Sequence, residues 1–205
     1  MKKFLTILLY LFGGLYCYGL FIDDVILQAL SKPIPILLIL AQVRPSSKYN
    51  FFIMAGLFFS LIGDILLLAL VDEFLYGLAA FLITHLFYIV AFLIRNRDVR
   101  FVSMLVFYLI GGAAVYVLYP YTGEFRYPVI VYVFVIVTMA WRAYSQRNYN
   151  KTALYAYLGA MTFLLSDFIL AYNKFIFSYH YSGIISIVIY WTAQYMIAKS
   201  TVKNE

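Results

Sequence analysis

Along the chain, long apolar runs alternate with short polar breaks. The runs fall at about residues 4–22, 33–43, 50–71, 74–94, 101–119, 127–143, 152–172 and 181–198. A helix needs about 20 residues to cross a hydrocarbon core, and seven of the runs come close to that. The second, within "KPIPILLILAQV", is shorter. It predicts a helix that starts nearer Val25 and bends at Pro33 and Pro35, because proline does not fit an ordinary helix interior. The pattern therefore predicts an all-α, polytopic membrane protein. It is a bundle of about eight transmembrane helices, with residues 1–205 forming a single integral-membrane domain.

Composition agrees. Hydrophobic residues make up 65% of the chain and charged residues 12%, with a mean hydropathy of +0.91. A typical soluble domain is about half apolar and a quarter charged. The opening "MKKFLTILLYLFGGLYCYGLF" has the basic start of a signal peptide. Its apolar run outlasts the roughly 7–15 residues of a signal core, and no A-x-A-like site ends it, so it reads as a retained first span. A single cysteine, Cys17, excludes an internal disulfide.

Charge orients the bundle. With a cytoplasmic N-terminus and eight spans, one side collects Lys2, Lys3, Arg44, Lys48, Arg95, Arg97, Arg100, Arg142, Arg147, Lys151, Lys199 and Lys203. The other side collects Lys32, Arg126 and Lys174. That asymmetry follows the positive-inside rule and predicts both termini in the cytoplasm, in a bacterial inner membrane. It also accounts for the +6 net charge as topology. No basic–aromatic loop points to nucleic acid, and nothing sets the oligomeric state.

Two aspartates interrupt the apolar pattern: Asp64 in "FFSLIGDILLLAL" and Asp167 in "FLLSDFILAY". The two contexts resemble each other and lie on spans that point the same way, which hints at a four-plus-four internal repeat. A charged side chain near the bilayer centre costs about 2.5–3.5 kcal/mol on insertion scales. Such residues face the bundle interior and are functional candidates, although interhelical hydrogen bonding is the alternative role. With a rise of 1.5 Å per residue, Asp64 and Asp167 fall in the outer half of the membrane. His85 falls near the middle, and Lys32 at the outer end of the second span. These four are expected to share one outward-opening cavity.

Helical spacing adds neighbours. Ser60 and Asp64 are four residues apart and share a face. Gly77, Phe81, His85 and Tyr88 form one stripe, and Gly183, Ser186, Tyr190 and Gln194 form another. Ser166 precedes Asp167. Asp23, Asp24, Asp72 and Glu73 lie near span ends and are expected to be solvated, with Asp24 also within reach of the cavity. His180 is expected in a loop or at the interface.

Two buried acids beside a lysine and a histidine fit three classes of chemistry. One acid can donate a proton while the other activates water. Asp64, His85 and Asp167 could hold a divalent metal, though no HExxH-like spacing supports it. Intramembrane acids also relay protons in carriers, and a non-catalytic lipid-binding protein is a further alternative. No G-x-S-x-G or phosphate-binding loop is present.

The blocks "SKP" (31–33), "SLIGDILLL" (60–68), "FLITHLFYI" (81–89), "GAMTFLLSDFILAYNKF" (159–175) and "YWTAQYMI" (190–197) follow in this order. Together they resemble the YhhN-like membrane proteins, the family of the transmembrane lysoplasmalogenases. The resemblance implies eight membrane helices and hydrolysis of the vinyl ether of a lysoplasmalogen, giving a fatty aldehyde and a glycerophospho-base. It implies a lysophospholipid substrate, and acid–base hydrolysis of a vinyl ether requires no cofactor or metal. Its motif positions fall here on Lys32, Ser60, Asp64, His85, Tyr88, Ser166, Asp167, Tyr190 and Gln194. Asp64, Asp167 and His85 are then expected to carry catalysis, with the others binding or orienting the substrate.

Overall fold

Each apolar run is a helix in the computed structural model, which describes residues 2–179 and 181–202. The helices are α1 (Lys2–Phe21), α2 (Val25–Ser31), α3 (Pro33–Leu40), α4 (Lys48–Leu66), α5 (Phe74–Arg95), α6 (Phe101–Leu118), α7 (Arg126–Gln146), α8 (Ala153–Phe175) and α9 (Ser182–Lys199). Two 3-10 turns, Tyr119–Tyr121 and Gly123–Phe125, join α6 to α7. No strand occurs among the described residues. Among the described residues, five helices, α4 to α8, are long and apolar enough to cross a membrane, and Ile7–Phe21 and Val25–Leu40 are shorter apolar helices. His180 and Lys203 lie outside the described residues, as do the side chains of Lys2 and Lys3.

The second span breaks where the prolines require it. Lys32 closes α2 and opens α3, with Pro33 at the first position of the new helix. Proline is tolerated there because that N–H would be unpaired anyway. Asp24 caps the start of α2, accepting from the amides of Ile26 and Leu27 at 3.0 Å each. The expectation that Asp24 reaches the cavity gives way to this capping role, which satisfies two orphan helix donors.

Two antiparallel hairpins, α4–α5 and α8–α9, form the centre, with α7 packed between α5 and α8. α6 rests mainly on α7 and presents Val102, Leu105, Leu109 and Tyr116 outward. Small residues let the hairpins close. A Cβ on Gly56 would lie 2.3 Å from the Tyr88 ring, and one on Gly63 would lie 2.6 Å from the Phe81 ring. A Cβ on Gly159 would meet the Ala193 carbonyl oxygen at 2.8 Å. Close approach through small residues is the usual means of helix association in lipid, where no hydrophobic force drives it.

One end of the bundle is fastened by arginines. Arg95 donates to the Ser200 carbonyl at 2.7 Å and lies 3.4 Å above the Tyr49 ring, whose hydroxyl meets Ser200 Oγ at 2.6 Å. Arg142 donates to the carbonyls of Asp98 and Asn96. Two of the cations in the topological count therefore also satisfy backbone carbonyls at helix ends and in a loop.

Glycine substitutions separate contact from propensity. Gly159→Ala forces its methyl onto backbone that cannot yield, and the expected loss is about 1–3 kcal/mol. A Cβ on Gly112 would have nothing within 4 Å, so Gly112→Ala is expected to be neutral or to stabilise by up to about 1 kcal/mol. Thermal unfolding of the two variants in one detergent checks the contrast.

Candidate active site

A cavity of about 540 Å3 opens among α4, α6, α7, α8 and α9. Asp64 of α4, Asp167 of α8, Tyr190 of α9, Tyr132 of α7 and Lys32 all line it, as does Tyr16 of α1. Most of the remaining lining is apolar, from residues such as Leu78, Val133 and Leu164. Asp72 and Lys174, both exposed, also belong to the lining. Each sits at the helix ends remote from the Arg95–Ser200 fastening, which places the mouth at that end of the bundle.

Asp64 is 2% exposed and accepts a hydrogen bond from the Tyr190 hydroxyl at 3.0 Å. Asp167, 14% exposed, accepts from the Tyr132 hydroxyl, and its Oδ2 lies 3.7 Å from His85 Nε2. Tyr132 spends its only proton on Asp167, so its oxygen accepts from His85 Nε2–H at 2.9 Å. That fixes the neutral ring as the Nε2–H tautomer. It leaves His85 Nδ1 buried with no partner among the described residues. The edges of Tyr132 and Phe163 meet the His85 ring at centroid separations of 5.3 and 4.8 Å.

Below the cavity lies a second polar cluster. Gln194 donates to Ser60 Oγ at 2.7 Å and accepts from the Tyr88 hydroxyl at 2.6 Å. Ser60 donates to Thr84 Oγ1 at 3.2 Å, and Thr84 bonds back to the Gly56 carbonyl at 3.1 Å. These side chains are buried and tie α4, α5 and α9 together. Ser60, Tyr88 and Gln194 thus come together beneath the acids, while His85 sits with Tyr132 and Asp167, and none of the four lines the cavity. Ser166 lines it while donating to the Ser186 carbonyl at 2.8 Å, which joins α8 to α9.

Lys32 is buried on the cavity wall and donates to the Leu67 carbonyl at 3.3 Å. That carbonyl belongs to the residue that ends α4. Lys32 forms no ion pair within 4 Å of either aspartate. No group of three or more His, Cys, Asp or Glu among the described residues is placed to share a metal ion. Asp72, expected to be simply solvated, is exposed and also borders the cavity.

Tyr132, which bonds directly to Asp167, is a site residue that the pattern did not single out, as is Tyr16. Tyr132 is one of 21 tyrosines, and α7 carries no second polar residue one turn away to mark its face. The available signal is that Tyr132, Ile136, Met139 and Ala143 follow helical spacing on the buried side.

The YhhN family model matches residues 27–201. The chain belongs to the YhhN family. Lysoplasmalogenase TMEM86A of Homo sapiens is 37% identical over 160 residues, covering 74% of this chain and 65% of its own length. This chain thus spans about two thirds of that relative. Lysoplasmalogenase TMEM86B of Mus musculus is 26% identical over 191 residues, covering 86% of this chain and 76% of its own. A membrane protein named YhhN from Escherichia coli O6:H1 is 25% identical over 175 residues, covering 82% and 84%. No solved structure matches. Membership in the YhhN family and the apolar helices together make this an integral membrane protein.

The buried cluster has a measurable worth. Tyr88→Phe leaves the Gln194 carbonyl oxygen without its donor, and about 0.5–2 kcal/mol of stability should be lost. Reversible unfolding of the detergent-solubilised protein measures it, and an unchanged stability would mean that the hydrogen bond contributes nothing net.

Proposed function

We propose that this protein hydrolyses the vinyl ether bond of a lysoplasmalogen, releasing a fatty aldehyde and a glycerophospho-base. One observation carries the reading: two aspartates from different helices face one mostly apolar cavity with charges at its mouth. Its volume falls in the range of small-molecule sites, about 300–1,000 Å3. The names of the TMEM86 relatives support the same reaction.

The chemistry follows from the substrate. A vinyl ether is unreactive until its outer alkene carbon takes a proton. The adjacent carbon then becomes an oxocarbenium ion, which water attacks. The hemiacetal formed collapses to aldehyde and alcohol. Glycosidases that invert configuration manage a similar cation with one carboxylic acid and one carboxylate. Burial in an apolar wall favours an acid that keeps its proton, and a hydrogen-bonded neighbour favours a carboxylate. Two aspartates in unequal surroundings supply both. The alkenyl chain suits the apolar walls contributed by α6, α7 and α8. The phosphate and amine of the headgroup suit Lys174 and Asp72 at the mouth.

Purified protein in detergent, given a lysoplasmenyl-ethanolamine, is expected to release aldehyde. Asp64→Asn and Asp167→Asn should each lower kcat by about 10²–10⁴-fold, the usual worth of general acid–base catalysis. A folded wild-type protein that releases no aldehyde would rule out this substrate.

A further inference from the structure

The two carboxylates sit in different surroundings. Asp64 is almost fully buried, and its one hydrogen bond comes from a neutral hydroxyl, that of Tyr190. Among the described residues no cation stands within 4 Å of it, and the nearby Lys32 gives an N–H to the Leu67 carbonyl without contacting the acid. A carboxylate left that way in an apolar interior costs several kcal/mol, whereas a carboxylic acid does not. Asp167 is more open to the cavity. A directed chain of donors ends on it: His85 Nε2–H to the Tyr132 oxygen, and the Tyr132 hydroxyl to Asp167 Oδ2. Donors aimed at an oxygen stabilise its ionised form. Asp167 Oδ1 has no hydrogen-bond partner among the described residues, which leaves it for water.

Resting on the lysoplasmalogenase reading, we infer that the two aspartates have fixed, unequal roles. Asp64 is the proton donor. Asp167 directs the attacking water, and Tyr132 is its positioning residue. The cycle balances. Asp64 gives its proton to the outer alkene carbon, the π pair forms the new C–H bond, and the ether carbon becomes the oxocarbenium centre. Water bonds to that carbon as Asp167 takes one of its protons. In the collapse, ionised Asp64 accepts the hemiacetal hydroxyl proton while the carbon–oxygen bond to the glycerol breaks. Asp167 returns its proton to the departing glycerol oxygen. Both side chains end as they began, one water is consumed, and nothing is oxidised or reduced.

Azide distinguishes the roles. It is an anion near neutral pH, so it can replace a lost carboxylate as the partner of the oxocarbenium ion, but it cannot replace a proton donor. Its adduct, an azido ether, hydrolyses in solution to the aldehyde. With lysoplasmenyl-ethanolamine, azide is expected to raise aldehyde release by Asp167→Ala at least 10-fold and to leave Asp64→Ala unchanged. Rescue of Asp64→Ala, or of neither variant, overturns the assignment. Binding of the saturated-ether analogue to both variants shows that each is folded. Tyr132→Phe should lower kcat about 10-fold, leave KM within twofold and regain part of the loss with azide. An unchanged kcat in Tyr132→Phe removes Tyr132 from the account. Wild-type protein without azide reports separately on the parent reading: if it releases no aldehyde, the substrate is wrong and the roles are moot.

Discussion

Lipid cannot solvate a carboxylate, and much of the centre of this protein is arranged around that fact. Asp64 and Asp167 lie on helices whose other residues are mostly apolar, so each must turn inward and find a partner. Each finds a tyrosine from a different helix: Tyr190 from α9 for Asp64, and Tyr132 from α7 for Asp167. Tyrosine suits the position because its ring packs among apolar side chains while its hydroxyl reaches the acid. The aspartates are therefore both the cost of the site and the reason α7, α8 and α9 are held in register around it.

Close packing makes that register possible. Gly56 and Gly63 admit the rings of Tyr88 and Phe81, which brings α5 against α4 and places His85 behind the cavity wall. Gly159 does the same for α8 and α9. The hydrogen bonds of Gln194, Ser60, Thr84 and Tyr88 then fix the three helices below the acids. This lower cluster is closed and fully paired. Among the described residues, the upper one keeps a His85 nitrogen and an Asp167 carboxylate oxygen without hydrogen-bond partners. The contrast separates a closed cluster that joins three helices from one that borders the cavity.

The helices were legible because hydrocarbon imposes a length and a composition that the sequence cannot hide. Even the break in the second span could be read from Pro33 and Pro35. The two aspartates, and the stripes through His85 and Tyr190, were legible for the same reason, since a polar residue stands out in an apolar run. Partnerships were not. Ser60, Tyr88 and Gln194 share a face with site residues yet sit one layer below the cavity, because helical spacing gives direction and not depth. Lys32 was suited by charge to pair with an aspartate; it shares the cavity wall with Asp64 but makes no ion pair within 4 Å and donates to the Leu67 carbonyl, a distance that sequence spacing does not give. Asp24 was a helix cap, a local role that only backbone geometry reveals. Tyr132 was invisible among so many tyrosines, because what distinguishes it is contact with a residue 35 positions away on another helix.

The central claim is that the reaction begins with proton transfer from a buried acid to carbon, and hydrolysis in D2O tests it most directly. Aldehyde released by the wild-type protein and trapped at once as an oxime should carry one deuterium on the carbon beside the former carbonyl. Aldehyde without deuterium at that carbon would mean that the bond breaks without protonation of the alkene, and the two-carboxylate account would fall.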